Sequence, residues 1–124
     1  MIEASGPTSQ TRGQQAENIA LDRLTEQGLR LIERNFRSRQ GEIDLIMRDG
    51  ATLVFIEVRY RKSNRYGSPQ ESVTRTKQLR LLATAAFYLK RYRYEGPTRF
   101  DVAALTPGLD GLELDWIKGA FDAG

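Results

Sequence analysis

The chain has 124 residues, 19 Lys and Arg against 16 Asp and Glu, a formal net charge of +3, and neither His nor Cys. That length supports one domain around one core, and the missing thiol and imidazole exclude disulfides, Cys/His zinc sites, cysteine nucleophiles and Ser-His-Asp relays. Catalysis must then rest on carboxylates, Lys and Arg, hydroxyls, or a hard cation held by oxygen.

Residues 1–13 are small and polar, interrupted by Gly6, Pro7 and Gly13, and read as a flexible N-terminal tail; the domain is expected over 14–121, with a short tail at 122–124. Residues 1–15 lack the apolar core of a signal peptide, and no stretch approaches the roughly 20 apolar residues of a membrane span. The expectation is a soluble, cytoplasmic protein. From Ala16 to Gln27, Ala16, Ile19, Ala20 and Leu24 recur at helical spacing, with Gly28 as the stop and Glu17 one position round from the apolar stripe.

Leu29–Phe36 reads as a strand with Ile32 and Phe36 on one face and Leu29 and Leu31 on the other, followed by a polar turn at 37–41. Glu42–Arg48 alternates, and Thr52–Tyr60 is β-branched and aromatic. Asp49-Gly50 between them predicts an antiparallel hairpin. Residues 63–70 read as loop, and a long helix is expected from about Ser72 to Arg91. Its inward face would be Leu79, Leu82, Ala83, Ala86 and Leu89, with Arg75, Arg80, Lys90 and Arg91 outward. Arg99–Leu105 and Leu112–Ile117 are strands around a turn at 106–111. The order α-β-β-β-α-β-β is an α+β domain.

Charge along this chain is uneven. Residues 1–58 carry 7 basic and 9 acidic side chains, residues 59–99 carry 11 basic and 2 acidic, and residues 100–124 carry 1 basic and 5 acidic. Fifteen of the 19 basic residues are Arg, whose planar fork suits phosphate, and Tyr60, Tyr66, Tyr88, Tyr92 and Tyr94 lie in the basic segment. Two readings stay open: a nucleic-acid surface with stackable tyrosines, or a solvated basic face with tyrosines half in the core.

Acids also stand where acids are costly. Asp44 lies inside the apolar run Ile43–Met47, and Glu57 follows Leu53-Val54-Phe55-Ile56. Each must pair, take a proton or bind a cation. Glu57 and Arg59 share a strand face, and the hairpin brings Asp44 toward Glu57. Two carboxylates and a cation at one strand end can hold a divalent metal against a phosphate and a water. The plainer readings are a same-face ion pair for Glu57-Arg59 and a backbone-bonded edge residue for Asp44.

Gly41-Glu42-Ile43-Asp44-Leu45-Ile46, Phe55-Ile56-Glu57-Val58-Arg59-Tyr60-Arg61-Lys62, Ser72-Val73-Thr74-Arg75-Thr76-Lys77-Gln78 and Arg99-Phe100-Asp101-Val102, in that order, resemble the YraN family of restriction-endonuclease-like proteins. The resemblance spans about residues 14–121 and implies the PD-(D/E)xK superfamily core, a mixed sheet flanked by helices, as in Holliday-junction resolvases. It implies Asp44 as a bridging metal ligand, Glu57 as a second and Glu17 as an added helix acid, with Mg²⁺ or Mn²⁺ as cofactor. Gln78 would orient near that site or the DNA backbone; apart from the resemblance, the basic block itself offers Arg61, Lys62, Arg65, Arg75, Lys77 and Arg80 to nucleic acid. The superfamily's usual Lys is Arg59 here, which cannot serve as a base but can stabilise negative charge.

The favoured expectation is a metal-dependent nuclease on structured or branched DNA. The alternative is a nucleic-acid-binding module that does not cleave, and a third, weaker reading is a domain that binds an acidic protein. A C₂ homodimer would let such a fold address two strands.

Overall fold

The computed structural model describes residues 11–63 and 67–121. Its elements are α1 (Arg12–Glu26), β1 (Arg30–Ser38), β2 (Gly41–Asp49), β3 (Thr52–Tyr60), a short 3-10 turn (Gln70–Ser72), α2 (Arg75–Arg91), β4 (Thr98–Gly108) and β5 (Gly111–Phe121). This is the expected order.

The strands form one mixed sheet in the order β1-β2-β3-β4-β5, with β3 and β4 parallel and the other neighbours antiparallel. A parallel pair needs a crossover, and α2 lies within that connection. Alternation along the strands gives the sheet two apolar faces. Leu45, Met47, Val54, Ile56, Ala103 and Leu105 pack with Ala16, Ala20 and Leu24 of α1. Ile46, Leu53, Phe55 and Val102 pack with Leu81, Ala85 and Tyr88 of α2. The result is an α/β/α sandwich with the sheet as its middle layer. Among the described residues, no helix is long and apolar enough to cross a membrane.

Several boundaries differ from expectation, each for a local reason. Helix α1 begins two residues before the expected domain start, because Thr11 caps it: the Thr11 hydroxyl accepts from the Gln14 N–H at 3.1 Å while the Gln14 side chain accepts from the Thr11 N–H at 2.9 Å. Residues 1–10 and 122–124, expected as tails, lie outside the described residues.

Helix α2 begins at Arg75, not near Ser72, because Thr74 is its cap and accepts from the Lys77 N–H. Its buried stripe is Leu81, Thr84, Ala85 and Tyr88, not the five residues expected; Leu79 and Ala86 are exposed. Thr84 can face the core because its hydroxyl donates to the Arg80 carbonyl, and Tyr88 because its ring packs edge-on to Phe36 and Phe55. In β1 a register shift between Leu31 and Glu33 breaks strict alternation, so Leu31 and Ile32 are both about 40% exposed and only Phe36 is buried.

The sheet's other edge is fixed by a buried acid. Asp101 is fully buried in β4. It accepts Arg99 Nε at 2.9 Å and Nη2 at 3.0 Å, Trp116 Nε1 at 2.9 Å and the Gly119 N–H at 3.0 Å. Arg99 also reaches Asp49 at 2.9 Å, so one guanidinium ties β4 to the β2–β3 turn while one carboxylate ties β4 to β5.

Candidate active site

Three adjacent strands lose their regular pairing at one level. The β1–β2 ladder runs through Arg34↔Leu45 and Phe36↔Ile43 but omits the rung between them, Asn35 opposite Asp44. The β2–β3 ladder stops at Leu45↔Ile56, one rung short of Asp44 and Glu57. Asn35, Asp44 and Glu57 therefore line up across the sheet where the backbone bonds give out.

Asn35 has a left-handed backbone (φ 53°), which Asn tolerates better than most residues. Asp44 Oδ2 accepts the Val58 N–H at 2.8 Å, so a side chain substitutes for a missing ladder bond. Asn35→Ala should lower stability by about 1–2 kcal/mol through the left-handed backbone, and Asn35→Gly by less, as read by chemical denaturation.

Charge collects at this level from both helices. Glu57 is buried and lies on the α2 side of the sheet, where Arg59 Nη1 stands 3.5 Å from Oε2 and Lys77 Nζ, from the first turn of α2, stands 3.6 Å from the same oxygen. Both distances exceed the roughly 2.7–2.9 Å of a strong charge-assisted bond. Glu17, from α1, accepts on Oε1 from Arg34 Nη2 at 2.8 Å, Arg34 Nε at 3.2 Å and Asn35 Nδ2 at 3.1 Å.

Among the described residues, no cation forms a salt bridge with Asp44. Burial above all, then the negative charges of Glu57 and Glu17, push its carboxyl from 3.8 up to about 8 against the opposing Val58 hydrogen bond. A side-chain hydrogen bond with Glu57 adds a last, small upward push.

The structure thus brings together Asp44, Glu57 and Arg59, adds Lys77, and sets Glu17 behind them in its own ion pair. Among the described residues, no three acids stand in a metal-holding arrangement. The adjacent pair Asp44 and Glu57 still fits a hard divalent cation by donor chemistry: two carboxylates, one of them held toward its protonated form by desolvation and by the charge of the other.

The other expected residues fall in different places. Arg75, Arg80 and Lys62 are exposed, consistent with a basic outer surface. Gln78 is turned back on its own helix start, donating to the Val73 carbonyl and accepting from Arg75, and makes no contact with the acids. Arg61 bonds the Gly67 carbonyl at 2.7 Å. Arg65 and Tyr66 lie outside the described residues.

Of the tyrosines, Tyr88 is core and Tyr94 bonds the Ala51 and Pro97 carbonyls, so neither offers a free stacking face; Tyr92 is half exposed. Two site features escaped the sequence reading. Lys77 is expected on phosphate, and its reach to Glu57 depends on where Thr74 starts the helix. Asn35 carries no such expectation, and the only signal in the sequence is its residue type, since Asn is one of the few non-glycine residues that adopt a left-handed backbone.

Residues 16–105 match uncharacterised protein family UPF0102. The chain belongs to that family. It is 52% identical to a UPF0102 protein of Methylococcus capsulatus over 98% of this chain and 99% of that one. It is 50% identical to one of Chromohalobacter salexigens over 96% and 97% of the two chains, and 47% identical to one of a Janthinobacterium strain over 92% and 89%. The span matched to UPF0102 contains Glu17, Asn35, Asp44, Glu57, Lys77 and Asp101, so the whole interrupted level lies within the family's own domain.

Proposed function

We propose that this UPF0102 protein is a Mg²⁺- or Mn²⁺-dependent nuclease of restriction-endonuclease-like type, acting on structured or branched DNA. The observation that carries this reading is the adjacent pair Asp44, part-buried, and Glu57, buried, at a break in the sheet, with desolvation and then the charge of Glu57 pushing Asp44 up to about 8. A structural carboxylate pair is normally satisfied by its own protein. Here Arg59 and Lys77 stand 3.5 and 3.6 Å from Glu57, and among the described residues no salt bridge is made by Asp44.

A divalent ion held there supplies Lewis-acid polarisation of a phosphoryl oxygen and acidifies water. Asp44 and Glu57 hold it, and the charge of Glu17 behind them strengthens the attraction. Arg59 and Lys77, already beside Glu57, face the phosphate and stabilise negative charge as it develops. Arg59 stays protonated throughout, so the attacking water loses its proton to solvent or to a phosphate oxygen rather than to Arg59. The exposed Arg75, Arg80 and Lys62 hold the flanking backbone.

Purified protein with Mn²⁺ is expected to nick a branched DNA substrate, and Asp44→Ala and Glu57→Ala each to abolish nicking. Metal-dependent activity that survives both substitutions sinks the assignment. The contact of Arg59 with Glu57 favours a second reading, DNA binding without cleavage. Its mark is salt-sensitive binding that EDTA leaves unchanged, with cleavage appearing on Arg59→Lys.

A further inference from the structure

Just past β3 the chain builds a basic cavity that the carboxylate pair does not use. Arg61 extends the parallel ladder through its N–H, which donates to the Leu105 carbonyl at 2.9 Å. Its side chain splits: Nη2 donates to the Gly67 carbonyl at 2.7 Å, while Nη1 is buried with no hydrogen-bond partner among the described residues. A buried, unpartnered guanidinium nitrogen is costly, and such groups call for a ligand or a water. Glu71, whose carboxyl feels the charge of Arg61, has its Oε1 engaged by the Ser68 N–H and hydroxyl and forms no salt bridge with Arg61.

Arg61, Lys62, Ser63 and Ser72 line a cavity of about 360 Å³. That is room for far more than one water, whose share of liquid volume is about 30 Å³. Guanidinium and ammonium are donor-only, so the occupant they select is an anion rich in acceptors. A phosphate group matches, and Arg is the side chain best shaped for it. Position narrows the choice. Arg59 and Arg61 are two residues apart on one strand line, about 6.6–6.8 Å by strand rise, close to the separation of successive phosphates along an extended nucleic-acid strand.

We propose that this cavity is a phosphate subsite, seated by Arg61 and Lys62, that takes the phosphodiester next to the one presented to Asp44 and Glu57. The placement rests on the nuclease reading; the affinity for a phosphate group does not. Two titrations separate them. Inorganic phosphate is titrated while the Arg61 side-chain ¹⁵N resonance is followed, and a branched DNA is titrated over a range of salt concentrations.

The expected result is a saturable shift at Arg61 with inorganic phosphate, together with a log-log salt slope for DNA that falls by about 0.7–0.9 in Arg61→Gln. Because Arg61→Gln also removes the bond to Gly67, Lys62→Gln serves as the second variant and is expected to reduce the slope similarly. A wild-type slope in both variants, with no response to phosphate, overturns the subsite and leaves the nuclease reading standing. A phosphate response without DNA binding overturns the nuclease reading and keeps the cavity as a site for a free phosphate group. No response to either ligand overturns both.

Discussion

Asp44→Asn is expected to flatten the dependence of folding stability on pH and, in the same protein, to end Mn²⁺-dependent nicking. The sign follows from where the proton sits. In the unfolded chain Asp44 ionises near its ordinary 3.8, whereas in the folded chain it keeps its proton to about 8. Between those values unfolding releases a proton, so stability is greatest below about pH 4 on this account and falls as pH rises, by up to about 1.4 kcal/mol per unit.

Asn keeps an acceptor for the Val58 N–H and cannot ionise, so its denaturation midpoint should hold steady over the same range. Mn²⁺ should raise the wild-type midpoint near neutral pH and leave that of Asp44→Asn unchanged, since a ligand stabilises only the form that binds it. A wild-type profile as flat as the variant's would mean that the carboxylate finds its compensation within the protein and needs no cation.

The second large effect lies at the far side of the sheet. Asp101→Ala is expected to cost about 3–5 kcal/mol, because one substitution strands the Trp116 indole N–H and the Gly119 N–H and leaves the Arg99 guanidinium with Asp49 alone. Trp116→Phe, which removes a single bond to the same carboxylate, should cost about 1 kcal/mol. Urea denaturation of both variants reads the ratio. Equal costs would show that the network is carried by packing around the indole rather than by the acid.

The hairpin was the most legible part of the chain, since an Asp-Gly turn between two apolar strands leaves little choice, and it is what sets Asp44 beside Glu57. Helix α2 was legible as a helix but not in its rotation, because apolar residues occur nearly all round it and the stripe that won includes Thr84 and Tyr88, whose hydroxyls carry no periodic signal. Glu17 looked like a solvated acid by spacing alone and was singled out only by resemblance; its burial comes from Arg34 and Asn35, which reach it across the fold. Asp101 stood within a quoted motif without a role, because its partners at Trp116 and Gly119 come from a strand that the sequence does not tie to it. What periodicity reports is which side of an element is apolar. It is silent on which polar groups meet across elements, and that is where both acid networks are made.

The rung missing between β2 and β3 also gives the molecule a built-in gauge. Val58 has its N–H on the Asp44 carboxyl instead of on the β2 backbone, so that amide donates to the group whose proton or cation is in question. Its proton chemical shift and its rate of exchange with deuterium should therefore follow the state of Asp44 directly. One backbone resonance would report occupancy of the site in solution without substrate, turnover or any added label.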